Sequence, residues 1–274
     1  MQNADNSSVS PSISHDPRAL LREGLASGHI YAAFQPKVSL ETGALVGVEA
    51  LARWDSPRLG MVAPDVFIPM AQREGLIAEL SALILREALE ACVQFRRHAP
   101  GITMAVNIAP SLLADPTLPD QIDRALCAAG LPPSALVAEI TESQAITDTA
   151  GAAITLGALR SRGINCAIDD FGTGHASLLS LLRLPFSELK IDRAFVTNCA
   201  TDRDAETIVR ATLGLAREMQ LHVVAEGIET QDAETMLMAL GCATGQGFHY
   251  GHAVSRADII ASLCRTKTPA RISA

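Results

Sequence analysis

Polar and apolar positions along this chain follow two alternating rhythms. Short apolar runs, of the kind that strands buried on both faces make, recur eight times. They lie at 31–38 (YAAFQPKV), 45–52 (LVGVEALA), 102–108 (ITMAVNI), 135–141 (ALVAEIT), 164–169, 187–191 (SELKI), 221–226 (LHVVAE) and 241–248. Between them lie longer stretches with helical spacing. Pro64 and Asp65 open one that runs through Met70 to Gly75, and Ser81 opens another through Arg97. Asp202 and Asp204 head a third, where negative charge favours a helix N-terminus. Its Ile208, Thr212, Leu215 and Met219 make one stripe at the 3.6-residue period, which predicts a core-facing side.

Eight strands alternating with helices predict a (β/α)8 barrel of TIM type. The first 16 residues, MQNADNSSVSPSISHD, stand apart: they are polar and Ser-rich, and read as a disordered tail or linker. Residues 17–274 read as a single barrel domain without internal repeats. The start lacks the basic and apolar segments of a secretory signal, and no 18 apolar residues run uninterrupted, so no membrane span is expected.

In a barrel of this type the active site lies at the C-terminal ends of the strands. Polar residues fall there, or on the inward faces, on seven of the eight runs: Glu49, Asn107, Glu139, the pair Asp169–Asp170, Lys190, Glu226 and Gln246. Each alone is equally well a strand-end hydrogen bond or a solvated side chain, and an Asp-Asp pair is most often a solvated turn. Jointly they put five carboxylates into one layer, and burying that many acids requires cations. Carboxylates and an amide oxygen, without Cys or His, suit Mg²⁺ or Mn²⁺ rather than Zn²⁺. His222 starts the seventh run, at the wrong end of the barrel for a ligand. Where a strand ends, the backbone can turn and let adjacent carboxylates converge. One of Asp169 and Asp170 can then bridge two ions while the other holds the second, and two ions about 4 Å apart clamp a phosphodiester.

Composition narrows the partners. A net charge of −8 argues against a polymeric nucleic-acid surface, although a bound cation can still present an acidic protein to an anionic ligand. Aromatic residues make up 4% of the chain, too few for a sugar-binding cleft or a single-strand platform. The six cysteines come no closer than the 22 positions between Cys242 and Cys264, so no zinc spacing exists. Free thiols in apolar surroundings suit a reducing, cytoplasmic compartment.

Taken in order, FQPKVSLETG, GVEALARW, PDVFIPMAQREGLI, VNIA, EITES, IDDFGTG, LKID, AEGIET and GCATGQG resemble the EAL domains, the cyclic di-GMP-specific phosphodiesterases. The resemblance spans about residues 18–262. It implies a barrel with an antiparallel first strand, and hydrolysis of cyclic di-GMP to linear pGpG with two Mg²⁺ or Mn²⁺ ions. It implies that Glu49, Asn107, Glu139 and Asp169 hold one ion, with Asp169 bridging to a second held with Asp170. Lys190 and Glu226 are then the pair that positions and activates the attacking water. Gln35, Pro36, Leu51, Arg53 and Gln246 are the implied substrate contacts. Gly172, His175 and Glu142 belong to the implied loop that orders the second-ion site and makes homodimer contacts.

The chain departs from the family pattern at His175-Ala176, where Tyr-Ser is usual, at Asn-Ile-Ala, and at Gly247–His252, which lacks the usual Lys-Pro or Arg-Pro. None of these is an implied ligand. Such domains often follow sensory modules, so the tail is a candidate linker from a larger sensory protein. The rival readings are a non-catalytic cyclic di-GMP receptor, which usually loses ligands that this chain keeps, and another metal-dependent barrel enzyme.

Overall fold

In the computed structural model, the residues described are 16–141, 149–172 and 178–265. Nine strands form one closed sheet: Ile30–Ser39 (β1), Leu45–Ser56 (β2), Gly60–Val62 (β3), Thr103–Asn107 (β4), Leu136–Thr141 (β5), Asn165–Phe171 (β6), Glu188–Ile191 (β7), His222–Ala225 (β8) and Thr244–Gln246 (β9). The order β1-β9-β8-β7-β6-β5-β4-β2 closes on itself through β1–β2 pairing. From β4 to β9 and between β2 and β4 the pairs are parallel. β1 runs antiparallel to both its neighbours, as the family resemblance implied. All eight expected runs are therefore strands. The ninth, β3, was not expected; it folds back on the end of β2 beyond the barrel wall.

Helices cover the outside. The expected helix after Pro64 spans Pro64–Arg73, and the next begins at Ile77, four residues earlier than its sequence start signal, and runs to Arg96. Asp202 caps Arg203–Glu218, its carboxylate accepting from the Asp204 N–H at 2.9 Å. The stripe expected on that helix holds in part: Thr212 is buried and Leu215 and Met219 pack against the core, but its centre lies to one side of Ile208. Ala205, Val209, Thr212, Leu213 and Ala216 are buried, whereas Ile208 is 38% exposed.

The main apolar core fills the layer between the outer face of the barrel and its helices, with Trp54 edge-on to Phe67 and Phe34 edge-on to Phe95. Inside the barrel the apolar filling shrinks to a separate cluster of Ala105, Val137 and Ala167. The rest of the interior holds buried Lys37, Glu49, Glu139, Asp169, Lys190 and Gln246. Four of the six cysteines (Cys92, Cys166, Cys199, Cys242) are buried free thiols, while Cys127 and Cys264 are exposed. Among the described residues no helix is long and apolar enough to cross a membrane.

Candidate active site

Strand alternation delivers the site. Gln35 and Lys37 are two apart on β1, so both face inwards, and Gln35 lies opposite Glu49 of β2. Asn107 ends β4 beside Glu139 of β5. Asp169 lies next to Thr141 in the β5–β6 register, and Glu226 follows the last residue of β8. The adjacent pair on β6 breaks the alternation. The β6–β7 register shifts between Ile168 and Phe171, Asp170 takes a left-handed φ of 57°, and Gly172 follows at 103°. This bulge turns both carboxylates to one side, and a glycine is needed after it because L side chains rarely adopt that angle.

The side chains converge on Lys190, which is 1% exposed. Its Nζ lies 2.7 Å from Glu226, 3.0 Å from Glu139, 3.1 Å from Asp169 and 3.4 Å from Glu49. Burial works against the Lys190 charge, but these four carboxylates outweigh it and hold its pKa well above the usual value. Gln246 donates to Glu49 at 2.7 Å and to Gln35 at 3.1 Å, and Asn107 donates to the other Glu49 oxygen at 2.9 Å. For Glu49 burial raises the pKa, yet Lys190 and Lys37 prevail and bring it down to about 2.

Lys37 was missed in the sequence. It approaches Glu139 from the other side, Nζ to Oε1 at 2.6 Å, with Glu188 at 3.8 Å. A lone lysine in an apolar strand normally reads as one whose ammonium reaches solvent; alternation from Gln35 turns it inwards.

Five carboxylates thus face two ammonium groups, and burial together with the excess negative charge raises the pKa of three of them. Burial and then the Glu49 charge push Glu139 up to about 8, in spite of both lysines. Burial, Asp169 and a hydrogen bond with Asp192 push Asp170 up to about 7. Burial raises Glu226 well above the carboxylate range even with Lys190 beside it. The donor set fits hard divalent cations. Oxygens of Glu49, Glu139 and Asp169 lie within 4.8 Å of one another, as do those of Asp169, Asp170 and Glu226, so Asp169 belongs to both groups. The Gln246 Oε1 atom is buried without a hydrogen-bond partner, a further acceptor left over in the site.

A cavity of about 260 Å³ opens on these groups, lined among others by Gln35, Glu49, Leu51, Asp169, Asp170, Lys190, Glu226 and Gln246. A second cavity of about 340 Å³ adjoins it at Leu51 and contains Arg53 and Asn107. Arg53 is half-buried, donates to the carbonyl of Ala52 at 2.9 Å and has its pKa lowered by burial. Pro36 is buried within β1 opposite Val48 and lines neither cavity. Glu142 and His175 lie outside the described residues.

Fold and site together define a TIM-type barrel whose acidic, lysine-centred pocket sits at the C-terminal ends of its parallel strands. The EAL domain family model matches residues 18–253, and the chain belongs to that family. It is 40% identical over 247 residues to the bifunctional diguanylate cyclase/cyclic di-GMP phosphodiesterase MucR of Pseudomonas aeruginosa, covering 89% of this chain and 36% of MucR. The cyclic di-GMP phosphodiesterase PA2567 of the same organism is 37% identical over 215 residues, 78% of this chain and 37% of that protein. The chain spans about a third of the length of these curated relatives. Among solved structures, the PaMucR phosphodiesterase in complex with c-di-GMP superposes with a TM-score of 0.81 at 39% identity, covering 87% of this chain and 97% of that one. The EAL enzyme Bd1971 in its cAMP- and cyclic-di-GMP-bound form gives 0.86 at 28% identity, covering 90% and 68%.

Proposed function

We propose that this chain is a divalent-cation-dependent phosphodiesterase that opens cyclic di-GMP to linear pGpG. The observation that carries the reading is the pair of carboxylate groups sharing Asp169 at the mouth of the barrel. The names of its relatives supply the substrate. Two Mg²⁺ or Mn²⁺ ions, when bound, supply Lewis-acid stabilisation of phosphoryl charge and a nucleophilic water.

The residues divide the remaining work. Glu49, Asn107, Glu139 and Asp169 would hold one ion, and Asp169 and Asp170 would hold the other. The Asn107 amide nitrogen is engaged by Glu49, which leaves its carbonyl oxygen for the cation. Lys190 fixes the spacing of four carboxylates and keeps the Glu226 side chain in place, 2.7 Å away. Glu226 takes the proton of the attacking water, as a carboxylate on the cavity wall held in place by Lys190. Gln35, Leu51 and Gln246 line the cavity for the substrate, and the planar fork of Arg53 suits a phosphate reaching the adjoining space. A cytoplasmic setting, a homodimer and a place in a larger sensory protein belong to the same reading.

The test is incubation with cyclic di-GMP and Mg²⁺ or Mn²⁺, with chromatography for pGpG. Stripping with EDTA should abolish the product, and either ion should restore it. Turnover undiminished in stripped protein would overturn the two-cation mechanism. Tight binding with no product would identify a receptor instead.

A further inference from the structure

The exposed large apolar side chains among the described residues include two aromatics, Tyr31 and Phe248. Tyr31 borders neither of the two cavities at the barrel mouth. Phe248 is 55% exposed and lines the acidic one, together with Glu49, Asp169, Asp170 and Lys190. Exposure alone is ordinary, but here it falls on an aromatic ring at the edge of the acidic cavity.

The mount beneath the ring is rigid. Gly247 presses on the Ile228 backbone so closely that a Cβ there would lie 2.1 Å from the Ile228 oxygen. The Ile228 N–H donates to Gln246 O at 3.1 Å, and the His249 N–H donates to Ile228 O at 3.0 Å. On the far side Tyr250 is buried, its hydroxyl donating to Glu234 at 2.9 Å, while Gly251 O accepts from Gln35 at 3.4 Å. The neighbours of Phe248 are thus tied down before and after it, and Phe248 lines the cavity beside Gln246 and Gly247. The His252 imidazole packs against that ring, centroids 4.0 Å apart and 36° between planes, and does not itself border the cavity.

We propose that Phe248, backed by His252, is the stacking platform for one guanine of the cyclic dinucleotide. This assignment rests on the function proposed above. A ring face held in place by its backbone offers a purine a surface without an ordering cost, and base–aromatic stacking tolerates any base because each has a π-face. The phosphodiester then lies over the carboxylate groups while the base is carried by the rim.

The experiment compares holoprotein variants in two assays. Steady-state kinetics on cyclic di-GMP with Mg²⁺ separates KM from kcat. Quenching of a 2-aminopurine analogue of the cyclic dinucleotide, bound in Ca²⁺, reports stacking directly. Phe248→Ala should raise KM about 5- to 100-fold, change kcat by less than about threefold, and abolish the quenching. Phe248→Trp should keep the quenching and a KM within about threefold of the parent chain. His252→Ala should raise KM about 2- to 10-fold. Unchanged KM and quenching in Phe248→Ala, with the parent chain active, would overturn the platform alone. So would a Phe248→Trp chain as poor as Phe248→Ala. A parent chain that neither binds nor cleaves cyclic di-GMP would overturn the proposed function and the platform together.

Discussion

The two faces of the barrel wall are filled in opposite ways. Outside, between strands and helices, lies a continuous apolar layer in which Trp54, Phe67 and Phe95 are at most 1% exposed. Inside, where barrels of this type usually stack branched apolar residues, two lysines and a set of acids occupy the space above three small side chains. The difference separates two kinds of energy. The outer layer stabilises by area removed from water, about 25 cal/mol per Å², which is non-directional and forgiving of geometry. The interior is held by charge balance, in which each group is favourable only while its partners remain.

Breaking the interior should have the largest effect. Lys190→Met leaves Glu49, Glu139, Asp169 and Glu226 without their shared cation. Removing one partner of a buried ion pair costs about 3–5 kcal/mol. We expect that loss in urea unfolding without divalent cations, together with complete loss of turnover. Adding Mg²⁺ should recover part of the stability and none of the activity. A Lys190→Met chain as stable as the parent in EDTA would mean that the acids are already neutralised by protons.

Breaking the outer layer should cost a similar stability and spare the chemistry. Phe95→Ala removes a fully buried ring stacked edge-on against Phe34 at 5.5 Å, which costs about 3–5 kcal/mol. Below its melting temperature this variant should keep the parent's Mg²⁺ dependence and kcat within about twofold. A shift in either would show that outer packing sets the spacing of the carboxylates.

The smallest effect sharpens the comparison within the interior itself. Glu226→Gln keeps shape and removes a charge, so turnover should fall by about 10²-fold or more with little change in stability. Calorimetric titration should find cation binding intact if Glu226 acts as a base. Loss of one binding event would instead make it a ligand of the second ion, a role its closeness to Asp169 and Asp170 also allows.

Much of this was legible from the residues in order. All eight barrel strands read as apolar runs because burial on both faces removes the need for polar alternation. The three-residue β3, a Gly-Met-Val hairpin arm, is too short to carry a pattern. On the helix Arg203–Glu218, Ile208 and Val209 are equally apolar neighbours, and only packing decides that Val209 is buried and Ile208 is not. The eight polar residues on seven runs announced themselves because each interrupts or ends an apolar run, and all eight come together. Lys37 carried a weaker signal: it lies two residues from Gln35 and so shares its face, but a lysine there reads as one that reaches solvent. Pro36 shows the converse: a motif position beside Gln35 whose own side chain is packed in the wall.

The bulge at Asp170 also governs how this site can change by mutation of chain length. On a regular strand two side chains entering one barrel are separated by a residue that faces outwards. Here the left-handed turn at Asp170 removes that spacer, so two neighbouring codons encode two groups of one centre. A deletion between Asp169 and Phe171 removes Asp170 itself. An insertion there changes the parity on which the convergence of the two carboxylates depends. Substitutions can therefore tune this centre gradually, whereas a one-residue indel would abolish it in a single step.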